Sequence, residues 1–172
     1  MKKFIFSVLI VLLSSINAGY AQPSERSIIA EMPHGKLVLE RTAIPDGLAF
    51  NDRITLEQGD EVIEVFESEG RAIQQVLHED LDGDGIGELL IQMDLGGSGG
   101  YREFELLHYK EGVYLPVWLE TGYAAGEASI EDRDGTGHKL VYIAYTDTDV
   151  EPEVEDTAIF DFTDGTLKRR QK

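Results

Sequence analysis

Asp80-Leu81-Asp82-Gly83-Asp84-Gly85-Ile86-Gly87-Glu88, with Leu89-Leu90-Ile91 directly behind it, carries the strongest local signal in the chain. Carboxylates at the first, third and fifth positions, a glycine at the sixth and a further carboxylate at the ninth make an oxygen-rich loop of the kind a hard cation such as Ca2+ requires. The expected ligands are the side chains of Asp80, Asp82, Asp84 and Glu88 and the carbonyl of Ile86, with Gly85 permitting the sharp turn. An EF-hand would place a bidentate glutamate at the twelfth position, where this chain has Ile91, so a helix–loop–helix does not fit. The apolar run from Glu88 to Met93 after glycine-rich turn chemistry reads instead as a loop feeding a buried strand.

Outward from this loop the chain repeats itself. Ile54–Gly59, Leu107–Gly112 and Phe160–Gly165 share an apolar-x-apolar-x-x-Gly pattern, and their glycines at 59, 112 and 165 are 53 residues apart. A constant period of this size signals a repeat architecture in which each unit leaves an apolar face for its neighbour. Each glycine is expected to close a hairpin between two alternating segments. Asp132-Arg133-Asp134-Gly135-Thr136-Gly137 follows Asp80–Gly85 at an interval of 52, with Thr136 in place of Asp84 and Leu140 in place of Glu88. That copy is expected to bind calcium weakly or not at all. The first copy keeps only a His34-Gly35 turn.

The spacing predicts strands over 27–32, 36–41, 50–57 and 61–67, then 75–79, 88–94, 101–109 and 113–119, then 127–131, 139–146, 156–162 and 166–170. The predicted fold is all-β. It consists of three repeated four-stranded antiparallel units, over residues 27–67, 75–119 and 127–170, arranged as an incomplete β-propeller. Closed propellers typically have ~4–8 blades, so an irregular β-sandwich is the alternative. Past the N-terminal segment, only Glu69–Gln75 carries a mild helical pattern.

The string from Asp80 to Ile91 resembles the calcium loop of FG-GAP and VCBS repeats, found in integrin-type propellers and in many exported bacterial proteins. The resemblance covers 76–93, is weaker over 128–143, and is absent as a metal motif from the first unit. It implies a fold and a bound metal but no particular function.

At the N-terminus, Lys2 and Lys3, an apolar run from Phe4 to Leu13 and small residues up to Ala21 read as a secretory signal peptide over 1–21, leaving one domain over 22–172. The run falls short of the ~20 apolar residues of a membrane span. With no cysteine there is no lipid-modified cysteine anchor, no disulfide and no thiolate chemistry. A periplasmic or secreted location is the expectation. The formal net charge of −18 makes nucleic acid and anionic lipid poor partners and favours cations and basic proteins.

Gly96–Gly100 spells Gly-x-Ser-x-Gly, but a nucleophile elbow needs a strand–turn–helix setting that a strand-rich chain of this length does not offer. No catalytic residue is assigned, and the chain is not expected to be an enzyme. Ser98-Gly99-Gly100-Tyr101 resembles the inhibitory loop of bacterial periplasmic lysozyme inhibitors, and a calcium-bearing VCBS-like domain is similar to proteins that neutralise peptidoglycan hydrolases. The resemblance implies that Ser98 and Tyr101 meet the catalytic carboxylates of a basic hydrolase, with the metal loop positioning Ser98 indirectly. The other reading is a non-catalytic, calcium-stabilised envelope or adhesion module in which this loop is incidental. His34, His78, His108 and His138 stand singly, His108 being expected to point outward from its strand. Asp147–Asp156 forms an acidic loop suited to a basic partner or a second cation. Trp118 and the strand aromatics Phe104, Tyr109, Tyr114, Tyr142, Phe160 and Phe162 are expected to pack in the core.

Overall fold

A computed structural model describes residues 24–43, 50–132 and 135–171. The signal-peptide segment and both Arg133 and Asp134 therefore lie outside the described residues. Eleven strands follow one another: β1 (Ser24–Met32), β2 (Gly35–Ala43), β3 (Phe50–Gln58), β4 (Glu61–Glu67), β5 (Ala72–Glu79), β6 (Glu88–Asp94), β7 (Tyr101–Lys110), β8 (Val113–Glu131), β9 (Leu140–Asp147), β10 (Val154–Thr163) and β11 (Thr166–Arg169). Every pairing is antiparallel between sequence neighbours. β1–β4 form one sheet and β5–β11 a seven-stranded second sheet.

The all-β class is as expected, but three separate four-stranded units and a propeller are not present, and neither sheet closes. The difference lies in β8. Its 19 residues absorb the predicted strands 113–119 and 127–131 together with the residues between them. The chain bends there, with Gly122 at φ 92° and Ala125 at φ 50°, yet keeps its ladder: Tyr123 pairs with Arg102, and Ala124 pairs with both Tyr101 and Thr146. Bulges at Arg102/Glu103 and Ala124/Glu127 absorb the bend, so the second and third units share one strand rather than standing as two blades.

The repeat survives at the level of hairpins. Gln58↔Glu61, Lys110↔Val113 and Thr163↔Thr166 each enclose a two-residue turn. At Glu111-Gly112 and Asp164-Gly165 both turn residues have positive φ, whereas Gly59 takes the first turn position, so it is one residue out of step with its counterparts.

β6 is buried from Glu88 to Met93, on both faces. Leu89, Ile91 and Met93 pack with Leu37, Ile54 and Leu56 of the first sheet, giving the molecule a sandwich-like seam. Leu90 packs the other way, with Phe104, Leu106, Val141, Ile143 and Phe160. That cluster exists because the bend in β8 folds β9–β11 back over β6 and β7. Phe162 of β10 lies 5.5 Å from His108 of β7 between ring centroids, and the Thr166 hydroxyl donates to the Val117 carbonyl at 2.8 Å. Trp118 meets Phe160 edge-on at 5.1 Å, and Phe104, Tyr114, Tyr142, Phe160 and Phe162 are all buried, as their strand positions suggested.

Candidate metal centre

The loop between β5 and β6 is closed by the Glu79↔Glu88 pair. Its own side chains fold it. Asp80 accepts the N–H groups of Gly83 at 2.7 Å and Gly85 at 3.0 Å, Asp82 accepts that of Asp84 at 3.0 Å, and Asp84 accepts that of Ile86 at 2.7 Å. Gly83 and Gly85, at φ 83° and 90°, supply the left-handed turns that a side-chain-bearing residue resists. The result brings one carboxylate oxygen from each of Asp80, Asp82 and Asp84 within 4.8 Å of the others. Oxygens at such spacings can share one ion whose metal–oxygen distances are about 2.0–2.6 Å. The donor set is all oxygen, which suits a hard cation. Ile86, expected to offer its carbonyl, is held through its N–H.

Glu88 is placed differently from the three aspartates. Its side chain is buried, its Oε2 accepts the Leu81 N–H at 2.7 Å, and its Oε1 lies 3.0 Å from His108 Nδ1. Burial pushes the Glu88 carboxyl above the usual carboxylate range, against the lowering effect of the Leu81 N–H and His108. Glu88 and His108 form a second group with Asp82, whose Oδ2 is 3.9 Å from His108 Nδ1, so Asp82 belongs to both groups. His108 does not point outward as expected. It packs against Phe162 and reaches Glu88, because Leu89↔Leu107 pairing sets Glu88 and His108 side by side. The β6–β7 register was the signal for this contact, and it depends on the length of the loop between those strands.

Two further residues brace the loop. The Tyr114 hydroxyl, from β8, donates to the Gly87 carbonyl at 3.1 Å, and burial pushes its pKa up. The His78 ring lies so close to Gly87 that an added Cβ would sit 2.5 Å from Nε2, so a larger residue there would push the ring aside. Burial lowers the His78 pKa.

The loop between β8 and β9 has the same construction. Glu131↔Leu140 closes it, and Asp132 accepts the N–H groups of Gly135 at 2.7 Å and Gly137 at 2.8 Å. Asp80 and Asp132 thus begin equivalent loops. A Lys139–Glu79 ion pair at 2.5 Å puts both loops at one end of the molecule.

The Ser98 segment lies at the other end. Leu95–Gly99 is exposed between β6 and β7, and its base is tied by Leu95 N–H to the Tyr101 carbonyl and Ala125 N–H to the Gly100 carbonyl, both at 3.1 Å. The length of β6, about 20 Å at ~3.3 Å per residue, separates it from the acidic loop. Tyr101 is 39% exposed, and its ring folds back over Gly99, where a Cβ would lie 2.3 Å from Cε2. Gly96–Gly100 joins two strands, not a strand and a helix. Among the described residues no helix is long and apolar enough to cross a membrane. Comparison with protein-family models, curated proteins and solved structures yields no match.

Proposed function

We propose that this chain is an exported, non-catalytic binding module whose acidic loop takes calcium through Asp80, Asp82 and Asp84, with the Ile86 carbonyl and Glu88 completing the site. The carrying observation is the convergence of the three aspartates within 4.8 Å, on a loop already folded by its own hydrogen bonds. Like charges at that spacing repel, so a cation that neutralises them stabilises the folded loop and the strands it joins. Isothermal calorimetry with Ca2+ and Mg2+ tests the reading: a calcium heat that Asp82→Ala abolishes supports it. No heat at millimolar calcium, together with an unchanged melting temperature in chelator, refutes it.

A second reading assigns Ser98–Tyr101 to the blocking of a basic peptidoglycan hydrolase. In its favour, Ser98 is exposed on a segment with a hydrogen-bonded base, Tyr101 keeps an accessible ring, and the chain is strongly acidic. Turbidity assays on peptidoglycan with wild type and Ser98→Ala/Tyr101→Ala decide it. Inhibition lost in the double variant supports this use of the loop, and inhibition retained there assigns the contact elsewhere.

A further inference from the structure

One sheet edge is open. β10 pairs with β9 from Val154 to Asp161, but on its other side β11 pairs only from Phe160 to Thr163, with one more bond from Arg170 N–H to the Ile159 carbonyl at 2.8 Å. Among the described residues no strand pairs with the outer side of Val154–Ala158. Backbone groups alternate sides along an antiparallel ladder, so the outward Ile159 carbonyl places the backbone groups of Thr157 and Glu155 outward too. A groove of about 610 Å3 follows this edge, with Asp156–Ile159 on one wall and Arg169–Gln171 on the other.

We propose that this edge takes an extended, cationic segment of a partner protein as an added strand. An added strand gains main-chain hydrogen bonds along an open edge, and its alternate side chains meet whatever flanks it. Here the flanking chemistry is anionic: Glu153 and Glu155 are exposed beside Asp156, and no lysine or arginine occurs between Lys139 and Lys168. Val154, 47% exposed, gives an apolar contact at the same end. Arg169 and Arg170, on the groove's opposite wall, are engaged with the Tyr145 hydroxyl at 3.5 Å and with Asp161 at 2.9 Å. Charged edges are a common defence against unwanted pairing, and Asp156 already accepts the Thr157 N–H at 2.7 Å. That defence is selective. A second copy of this chain would bring the same carboxylates against themselves, whereas lysines opposite Glu153 and Glu155 turn the repulsion into attraction. The open stretch suits a strand of about five residues at ~3.4 Å each.

The test uses the full chain, a blocked peptide of alternating valine and lysine, its valine–glutamate counterpart, and a peptide of equal positive charge with proline in place of valine. We expect the valine–lysine peptide to bind at least tenfold more tightly than the other two, and to slow amide exchange at Glu155. Glu155→Pro removes an outward N–H without touching the β9 ladder and should weaken binding about tenfold. Should that variant fail to fold, exchange in the wild-type chain decides alone. Equal binding by the proline peptide, or unchanged exchange at Glu155, overturns the proposal. So does a Glu155 amide already protected in the free monomer, or protected by dimerisation.

Discussion

Asp82 stands between two demands, and its substitution separates them. It shares the aspartate group with Asp80 and Asp84 and also approaches the buried Glu88–His108 pair. Without a cation the clustered carboxylates repel, so Asp82→Asn, which keeps the side-chain oxygen that accepts the Asp84 N–H, should raise the melting temperature in chelator. With calcium the same change should lower it, because a ligand is weakened; binding at a hundred times Kd is worth about 2.7 kcal/mol. Thermal melts in both buffers check the crossing of sign. Glu88→Ala has a different signature. It leaves the buried Leu81 N–H without its acceptor, a cost of about 1–3 kcal/mol that should persist in chelator and is read from urea unfolding. The aspartates could be read from spacing because a loop of this length folds on its own side chains. The Glu88–His108 contact could not, since it joins residues 20 apart through a strand register.

At the scale of elements, alternation and turn glycines located nearly every strand, because hairpin turns and one-sided burial act within a few residues. β8 was missed for a physical reason. The predicted strands stop at 119 and resume at 127, yet glycines within a strand, such as Gly122 and Gly126, also mark bulges and close approaches. A Cβ on Gly126 would lie 3.1 Å from the Phe104 ring, and Gly122, with a left-handed φ, is the unpaired extra residue of a bulge between Thr121 and Tyr123. The two bend positions therefore predict opposite effects. Gly122→Ala should cost about 0.5–1 kcal/mol, the penalty of a left-handed conformation less the gain from a stiffer unfolded chain. Ala125→Gly, at φ 50°, should gain about 0.5–1 kcal/mol once the greater freedom of glycine in the unfolded chain is subtracted. Urea midpoints at constant slope measure both, and equal effects of the same sign would show that the bend is not held by these dihedrals.

The whole molecule is two cores that share β6, and one buried ion pair fastens the seam. Asp52 of β3 is fully buried, accepts Arg41 Nη2 at 2.8 Å and Nε at 3.0 Å, and also accepts the Ile73 N–H of β5 at 2.7 Å. Arg41 in turn donates to the Ile73 carbonyl at 2.5 Å, so one carboxylate and one guanidinium tie the first sheet to the second. The hydrogen bond to Asp52 holds the Arg41 pKa above its ordinary value. The second core, around Phe104 and Phe160, lies within β5–β11 and the Leu81 loop, and has no side chain from the first sheet. Breaking a buried pair by removing one partner typically costs about 3–5 kcal/mol, and the low end applies here because Arg41 keeps 31% of its side chain exposed. Asp52→Ala should therefore loosen the first sheet while leaving the second folded. In hydrogen exchange, Leu37–Leu39 and Ile54–Leu56 should lose protection well before Val141–Ile143, and unfolding should split into two transitions. A single transition with all these amides exchanging together would mean that the apolar contacts of Leu89, Ile91 and Met93, not the ion pair, hold the two sheets as one cooperative unit.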